Sequence, residues 1–492
     1  MITHLEHFTG IIMDKMASLA ALLLYFALLL LIVLKEKKNH TVEDYFFAGR
    51  SLPFWALSIT FVASWWGAGS ALSTADLAYD DGFGAFWYYG VPVLLATLLM
   101  TAGARRIRGI GYLTQGRMMA ARYSPAVAGL LSVMILLFMI FSAASQMVGI
   151  GDFFGGYLGI SYEAAVLLGT GIVLIYSLFG GFRGVVLTDI LQCVLLAVSA
   201  LAVCLVALDH SGGLETIARA AQQHNKTGYM NFWTGAEKYL PYVVTFGCSW
   251  MIQANIWQRI SAARSTDDAR RMTTLAFFLY IPLYLIVVLT GMAGLVLFES
   301  MPQGGVVTAV VNAFLSPLGG AVVFVGIAAA IMSTMDSLIN TGAMTLALDL
   351  CPDSGDERKK LAFSRMATAL VTGLALLIAL RIRSFLDVTW IASDVITTGA
   401  FVPLVLGFFW RRGNSRGALA SMLAGLCYSF YNLFATLGLP LPMFWKTQTL
   451  LQTGLGVGLS LCVYIGVSLL TPPEYEKADA FMKGLSRRQS VS

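Results

Sequence analysis

The chain has 492 residues, of which 58% are hydrophobic and only 12% are charged. Soluble globular proteins carry about 25% charged residues, so the composition excludes that class and indicates a polytopic membrane protein. The net charge of +5 is modest, and the basic residues stand in short loops, which gives no indication of nucleic acid as a partner. The six cysteines have no paired spacing, so neither a zinc site nor a disulfide framework is supported.

Apolar runs of roughly 20 residues predict transmembrane helices. The first run has no small-residue cleavage pattern after it, so we interpret it as a retained helix rather than a signal peptide. The tail after Thr471 is short and charged, and we expect it to be mobile. In chain order, the thirteen predicted helices are 16–34, 52–79, 84–103, 125–149, 162–180, 184–208, 238–257, 273–298, 317–350, 361–380, 385–410, 416–437 and 448–470.

Two of these helices, 52–79 and 238–257, are interrupted by glycine and polar residues. The interruptions lie at 63–70 and 247–255. Each glycine weakens a helix by about 1 kcal/mol relative to alanine. Broken helices at corresponding places in two halves indicate a transport site near the membrane midplane. The alternative is that the glycines only allow close helix packing, but packing does not explain the adjacent polar groups.

The broken helices are the second and the seventh, which fits two inverted five-helix repeats because an odd number of helices reverses the second repeat. The predicted fold is therefore an all-α membrane protein with two such repeats, one N-terminal helix and two C-terminal helices. The predicted divisions are an extra helix and cytoplasmic loop at 1–51, a first repeat at 52–208, an extracellular loop at 209–237, a second repeat at 238–410, and two peripheral helices with a cytoplasmic tail at 411–492.

A polar face lies inside the long apolar run 317–350. Ser333, Asp336 and Ser337 share one face of a helix, with Ala330 one turn earlier. An ionised carboxylate in lipid costs roughly 2.5–3.5 kcal/mol, so this face requires a water-filled cavity or an ion site. Its oxygen ligands suit a hard cation such as Na⁺. The alternative is that the hydroxyls bond to their own helix and that Asp336 pairs with a neighbour.

The distribution of basic residues predicts the orientation. With the N-terminus outside and the C-terminus cytoplasmic, most of the 32 lysines and arginines fall in inside loops or at their borders. The positive-inside rule supports this arrangement and a multi-pass protein of the plasma (inner) membrane. Arg381 and Arg383 are the local exception, and a wrong helix boundary there is the alternative.

Several stretches resemble the sodium:solute symporter family, which has the leucine-transporter fold. The resemblance extends in order and spacing over roughly 40–470, and no single motif carries it. The five stretches are 44–53 (DYFFAGRSLP), 180–192 (GGFRGVVLTDILQ), 257–264 (WQRISAAR), 330–337 (AIMSTMDS) and 403–412 (PLVLGFFWRR).

The resemblance implies a sodium site between the broken first core helix and the eighth core helix. The matching positions are Ala63, Trp66 and Ala330 as carbonyl donors, and Ser333 and Thr334 as hydroxyl donors. Unwound backbone leaves carbonyls unpaired, and a cation can bind them. Trp66 replaces a smaller residue, so we expect its side chain to narrow the adjoining pocket.

Some family members bind a second sodium, and the resemblance places that site at Asp189, Ser333 and Ser337. Asp336 stands where such members have serine. Two neighbouring carboxylates repel unless a cation or a proton lies between them, so this is a candidate second cation or proton site. The alternative is that Asp189 caps its helix or pairs with Arg183.

The substrate pocket is expected between the two broken helices. Aromatic residues shield such a pocket from water, whereas amides and hydroxyls orient a polar ligand. Gln253 and Asn255 lie about 200° apart on a continuous helix, so both face the site only if the helix is broken there. The candidates are Ser64, Trp65, Ser70, Asp76, Trp87, Gln146, Trp250, Gln253 and Asn255.

The resulting functional prediction is a secondary active transporter that couples Na⁺ to uptake of a small polar organic solute, such as an amino acid, a carboxylate or a vitamin-like acid. Na⁺ is the coupling ion and no other cofactor is expected; the partners are the solute and the lipid bilayer. The alternatives are a transporter-like sensor, which we expect to carry a signalling domain, and an ion channel, which we expect to have a selectivity ring. An enzyme is disfavoured, because the apolar runs show no nucleophile–base or metal-ligand spacing.

Overall fold

The computed structural model describes residues 2–35, 42–112, 114–351 and 356–487. These residues form helices joined mostly by short connections. In chain order the helices are α1 (Ile2–Lys35), α2 (Val42–Phe47), α3 (Phe54–Ala63), α4 (Thr74–Asp81), α5 (Phe86–Ile110), α6 (Gln115–Arg122), α7 (Pro125–Leu158), α8 (Tyr162–Ser211), α9 (Gly213–Gln223), α10 (Gly235–Met251), α11 (Ala254–Ala262), α12 (Thr266–Leu297), α13 (Val306–Phe314), α14 (Pro317–Thr345), α15 (Glu357–Arg381), α16 (Phe385–Gly399), α17 (Phe401–Leu406), α18 (Ser415–Thr436), α19 (Leu450–Leu470) and α20 (Tyr475–Arg487).

Ten helical segments within the described residues are long and apolar enough to cross a membrane. The all-α polytopic architecture is therefore confirmed. The count of thirteen stays a prediction, because three of the predicted spans are broken into pieces. These are α3 with α4, α10 with α11, and α16 with α17.

The first predicted interruption is present. Helix α3 ends at Ala63, the chain is unwound over 64–67, and a π-helical turn at Gly69–Ser73 leads into α4. Close approach by other helices requires glycine here. A Cβ atom on Gly67 would lie 2.1 Å from Oε1 of Gln146, and one on Gly69 would lie 2.5 Å from the hydroxyl of Tyr89. Neighbouring side chains thus approach the unwound backbone directly.

The second interruption lies within the predicted stretch 247–255, a few residues after Gly247. Helix α10 continues through Gly247 to Met251, the chain bends at Ile252 and Gln253, and α11 begins at Ala254. A glycine in a helix costs only about 1 kcal/mol, so packing maintains the helix through Gly247. Because the helix breaks before α11, Gln253 is free of the angular constraint that a continuous helix would impose.

Helix α14 lies at the centre of the bundle. It packs against α8, α7, α1 and α15. Nearly every residue from Gly320 to Thr345 is buried, and a π-helical turn at Leu346–Leu350 extends the segment. The polar face predicted on this segment therefore contacts protein on all sides rather than lipid.

Helix α8 joins two predicted spans across a kink. Gly181 has φ 54° and ψ −169°, a left-handed conformation that glycine adopts without the steric cost of a side chain. The kink lets Ser177 before it and Asp189 after it both approach α14.

The described loops lie at two ends of the helix bundle. At the end predicted to lie outside, called the outer end, Lys226 bonds to Asp80 at 3.2 Å and Arg383 pairs with Glu163. At the end predicted to be cytoplasmic, called the inner end, Arg105 pairs with Asp267 at 2.7 Å. Arg383 therefore has an acidic partner at the outer end, and its position requires no change of helix boundary.

Two predicted loops contain helices. The segment 209–237 holds α9, and the C-terminal tail forms α20. We expected the tail to be mobile, but α20 buries Ala478 and Phe481, and the ring of Phe481 lies 5.6 Å from that of Phe408. Arg411 adds a two-bond contact to Asp479. Apolar residues at helical spacing give α20 one face that packs against the protein, so this segment is held by apolar contacts although it is charged.

Candidate functional site: ion site and central cavity

Thr334 brings the first broken helix and α14 together. Its hydroxyl donates to the carbonyl oxygen of Ala63 at 3.1 Å and lies 3.4 Å from the carbonyl oxygen of Ala330. Ala63 is the last residue of α3, where carbonyl oxygens lack intrahelical N–H donors. Three of the five predicted sodium ligands thus surround one point at the helix break.

The other two predicted sodium ligands have different surroundings. The Ser333 hydroxyl donates to Oδ1 of Asp189 on α8. Trp66 is fully buried, and its ring centroid lies 4.6 Å from that of Tyr284, outside the central cavity. We expected this indole to narrow the pocket. It instead fills space against α12, while its backbone remains in the unwound segment.

A buried network surrounds Asp189. Thr60 and Ser333 donate to its two carboxylate oxygens, and Nη2 of Arg259 lies 3.4 Å from Oδ2. The same Nη2 donates to Ser337 at 2.7 Å. All these side chains are nearly inaccessible to solvent. Arg259 also donates to the Thr60 carbonyl and the Asn255 carbonyl, so the network ties α3, α8, α11 and α14 together.

Sequence reasoning missed Arg259 and Thr60 as members of this network, although Arg259 lies inside a stretch that resembles the family. The sequence offers one signal: Arg259 is the basic residue of a helix whose other members are apolar or neutral. The guanidinium that pairs with Asp189 is that of Arg259, and not that of the alternative partner, Arg183.

Asp336 faces a different neighbour from Asp189. Its Oδ1 accepts a 2.5 Å hydrogen bond from Ser177, and its Oδ2 has no hydrogen-bond partner among the described residues. The side chain is fully buried. Burying an unpaired carboxylate is costly, so Asp336 requires either a bound cation or a proton.

A central cavity of about 40 Å³ adjoins Thr334. It has room for a few water molecules. Five of the predicted substrate residues line it. They are Ser64, Trp65, Gln146, Trp250 and Gln253.

Two amides fix the geometry of this cavity. Oε1 of Gln146 accepts from the backbone N–H of Ala68 at 2.8 Å, at the start of the second half of the broken helix. Oε1 of Gln253 accepts from the indole N–H of Trp65. The two broken helices are therefore joined across the cavity by a side-chain hydrogen bond.

The other four substrate candidates do not line the cavity. Ser70, within the π-helical turn, is bonded to Tyr284 at 2.7 Å. The ring of Trp87 lies 5.4 Å from that of Phe232, tilted by 43°, at the outer end. Asn255 follows the second break on α11, and neither of its amide atoms has a partner among the described residues.

Asp76 is the fourth of these, and it lines a separate vestibule of about 490 Å³ at the outer end. Its Oδ1 accepts from the Val306 N–H at 2.8 Å. Asp152, which is solvent-exposed, lines the same vestibule. Asp76 lies more than one helical turn beyond the break. At that distance along the helix axis its side chain lies outside the cavity.

Phe385 separates the vestibule from the central cavity. It lines the vestibule, while Thr389, one turn along α16, lines the cavity. A Cβ atom on Gly69 would lie 2.8 Å from its ring. One aromatic side chain thus stands at the junction of the two spaces.

Several cavity residues were missed from the sequence. The signal for most of them was helical spacing: Ser142 and Ser145 lie on the same face of α7 as the predicted Gln146, and Thr389 and Ser393 are one turn apart on α16. Tyr89 also lines the cavity, two residues after the candidate Trp87. On a helix that difference is about 200°, which reverses the face.

The profile of the Sodium:solute symporter family matches residues 45–425 of this chain. The chain belongs to this family. A Vibrio parahaemolyticus sodium/glucose cotransporter is 25% identical over 449 residues, covering 81% of each protein. A Haemophilus influenzae sodium/pantothenate symporter is 24% identical over 436 residues, covering 84% of this chain and 88% of the relative. Both relatives are transporters and not enzymes.

The fold is also found in a solved structure. A Na⁺-coupled sialic acid symporter in a substrate-bound, outward-open state has a TM-score of 0.77 and 18% identity, covering 93% of this chain and 98% of that one. The recognition of the family from its motifs is therefore confirmed. The named relatives carry chemically different solutes at similar identity, so similarity does not assign one to this chain.

Proposed function

We propose that this protein couples Na⁺ entry to inward symport of a small polar organic solute. The observation that carries this proposal is the position of Thr334, whose hydroxyl meets two backbone carbonyls at a helix break beside the central cavity. Hydroxyl and carbonyl oxygens suit a hard monovalent cation. Ala63, Trp66, Ala330, Ser333 and Thr334 are the proposed ligands.

The proposed mechanism is alternating access. The second, third, seventh and eighth spans (α3–α4, α5, α10–α11 and α12) move against the fourth, fifth, ninth and tenth (α7, the first half of α8, α14 and α15). Because Thr334 belongs to one group and Ala63 to the other, bound Na⁺ links the two groups. Each Na⁺ that enters contributes about 2.3 kcal/mol of driving free energy per 100 mV of membrane potential.

A second cation or proton site at Asp189, Asp336 and Ser337 is also proposed. Asp189 and Ser337 already contact the Arg259 guanidinium, whereas Asp336 keeps one carboxylate oxygen unpaired. These contacts favour Asp336 as the group that takes up the ion. Asp336→Asn should therefore change Na⁺ stoichiometry or the pH dependence of uptake. Normal stoichiometry and pH dependence with reduced stability would mean that Asp336 is only structural.

The orientation and the nature of the solute belong to the same proposal. The N-terminus is outside and the C-terminus cytoplasmic, the two five-helix repeats are inverted, and the solute is an amino acid, a carboxylate or a vitamin-like acid. A small cavity, blocked by Phe385 on one side and by the Asp189 network on the other, supports a carrier over a continuous channel. The family relatives named above support a transporter over a sensor.

Uptake into cells or proteoliposomes tests this proposal. A solute found by a thermal-shift screen in Na⁺ should accumulate with an inward Na⁺ gradient and not with an equal K⁺ gradient, once the proton gradient is collapsed. Linkage also requires that the solute stabilise the protein more in Na⁺ than in K⁺. Equal uptake in both salts would refute Na⁺ coupling.

A further inference from the structure

We infer that the solute carries a positively charged amine, and that an aromatic cage in the central cavity binds this ammonium group. The inference rests on the proposed transport function and concerns the same cavity. It selects, from the polar solutes compatible with the fold, those with a quaternary or protonated amine.

Three aromatic side chains reach the cavity from three different segments. Trp65 comes from the unwound segment, Tyr89 from α5 and Trp250 from α10, and each is more than nine-tenths buried. The ring of Trp250 lies 5.9 Å from that of Trp65 and 4.9 Å from that of Tyr89. Electron-rich ring faces bind an ammonium group, tryptophan most strongly, and the attraction increases when water is excluded.

The remaining lining offers dipoles and no formal charge. Among the described residues that line the cavity, none is acidic or basic; the polar ones are serines, threonines, glutamines and Tyr89. A carboxylate solute would therefore enter without an arginine or lysine partner. A cation, by contrast, is compatible with hydroxyl and amide oxygens together with ring faces.

The ends of the broken helices also favour a positively charged solute. Helices α3 and α10 both end at the cavity, and C-terminal helix ends carry partial negative charge. The opposing N-terminal amide at Ala68, which is the usual place for an anionic group, is already bonded to Oε1 of Gln146. This N-terminus is thus capped by the protein, whereas that of α11, at the second break, has no side-chain cap.

The route from the outer end is acidic. Asp76 and Asp152 line the vestibule, and its described lining includes no lysine or arginine. Arg383 at the rim is paired with Glu163. Acidic walls raise the local concentration of cations. The vestibule and the cavity therefore select for the same charge.

Ligands of the same shape but different charge distinguish the contribution of charge to binding from that of shape. Binding of choline, glycine betaine and tetramethylammonium to the purified full-length protein would be measured in NaCl by calorimetry. The neutral or anionic carbon isosteres 3,3-dimethyl-1-butanol and 3,3-dimethylbutanoate serve as controls. At least one ammonium compound should bind about tenfold or more tightly than its isostere. Choline against glycine betaine distinguishes a simple cation from a zwitterion.

Variants at Trp250 then test the cage itself. Trp250→Phe should weaken ammonium binding severalfold and Trp250→Leu by about tenfold or more, because leucine is apolar but has no ring face. The control variant is Trp233→Leu, which changes an exposed tryptophan at the outer end. It should bind the ammonium compounds as tightly as the unmodified protein does. Failure of all three ammonium compounds, equal binding of the isosteres, or equal binding by Trp250→Phe and Trp250→Leu would overturn the inference.

The inference and the proposed function can fail separately. Thermal stabilisation by Na⁺ over K⁺, lost in Thr334→Ala, reports the sodium site without any solute. If that stabilisation is present and no ammonium compound binds, the solute class is wrong and Na⁺ coupling stands. If Na⁺ and K⁺ stabilise equally, the proposed function is wrong as well.

Discussion

The two closures of the central cavity are built from different interactions. At the outer side, apolar groups that include Phe385 and Ala68 lie between the cavity and a vestibule of about 490 Å³. At the inner side, buried hydrogen bonds follow one another: Arg259 with Asp189, and Gln258 with Thr341 at 2.9 Å. Apolar contacts slide with little directional cost, whereas buried polar groups must find new partners or water when they separate.

This difference indicates which transition is easier. We expect opening at the outer end to require movement of apolar groups such as Phe385, and opening at the inner end to require hydration of a charged network. Nearer the inner surface, Gln115 adds a 2.8 Å bond to the Ile252 carbonyl at the second helix break, and Thr114 adds a 2.7 Å bond to Asp349. We therefore expect the inner closure to carry the larger barrier and substitutions there to have the larger effects.

The largest effect is expected at the buried ion pair. Arg259→Leu leaves Asp189 buried without its cationic partner, which should lower the free energy of unfolding by about 3–5 kcal/mol. Chemical denaturation of the purified protein measures this loss. The double variant Arg259→Leu, Asp189→Leu removes both charges and should recover part of it. A double variant as unstable as the sum of its single variants would show that the pair is not coupled.

Substitutions at the sodium ligands should come next. Thr334→Ala or Ser333→Ala removes a hydroxyl ligand, an interaction worth roughly 1.5–3 kcal/mol with a charged group, or about 10- to 150-fold in the Na⁺ concentration for half-maximal uptake. Thr334→Ser keeps the oxygen and should be mild. Unchanged Na⁺ dependence in both alanine variants would mean that this face of α14 serves helix packing only.

A smaller effect is expected at the outer closure. Phe385→Leu replaces one apolar side chain by another and should cost less than about 1.5 kcal/mol in stability. It should nevertheless increase severalfold the rate at which an impermeant thiol reagent labels a Ser145→Cys cavity residue. The Ser145→Cys protein with native Phe385 is the control. An unchanged labelling rate would show that Phe385 does not limit access to the cavity from the outer end.

The smallest effect should come from an exposed pair at the inner end. Arg411 contacts Asp479 by two hydrogen bonds, but the side chains are 57% and 33% exposed. Exposed pairs contribute about 0–1 kcal/mol, so Arg411→Ala should shift the unfolding midpoint little. A loss comparable to that of Arg259→Leu would show that the tail helix, and not the buried network, controls the inner closure.

The sequence by itself determined the membrane class, the family and the break in the first core helix. Each of these depends on local pattern: runs of apolar residues fix spans, five spaced motifs fix the family, and glycines at 67 and 69 weaken a helix wherever it packs. It also predicted that Ser333, Asp336 and Ser337 share one face of α14, because the helical period is set by backbone geometry alone.

Only the tertiary structure decided which groups meet. Arg259 and Asp189 are far apart in the chain, and no local pattern indicates that this guanidinium, and not Arg183, reaches that carboxylate. The same holds for Asp76 and Trp87, whose residue types suit a binding pocket but whose positions along and around their helices direct them elsewhere. Contacts between distant segments depend on the packing of whole helices, and one residue of offset rotates a side chain by about 100°.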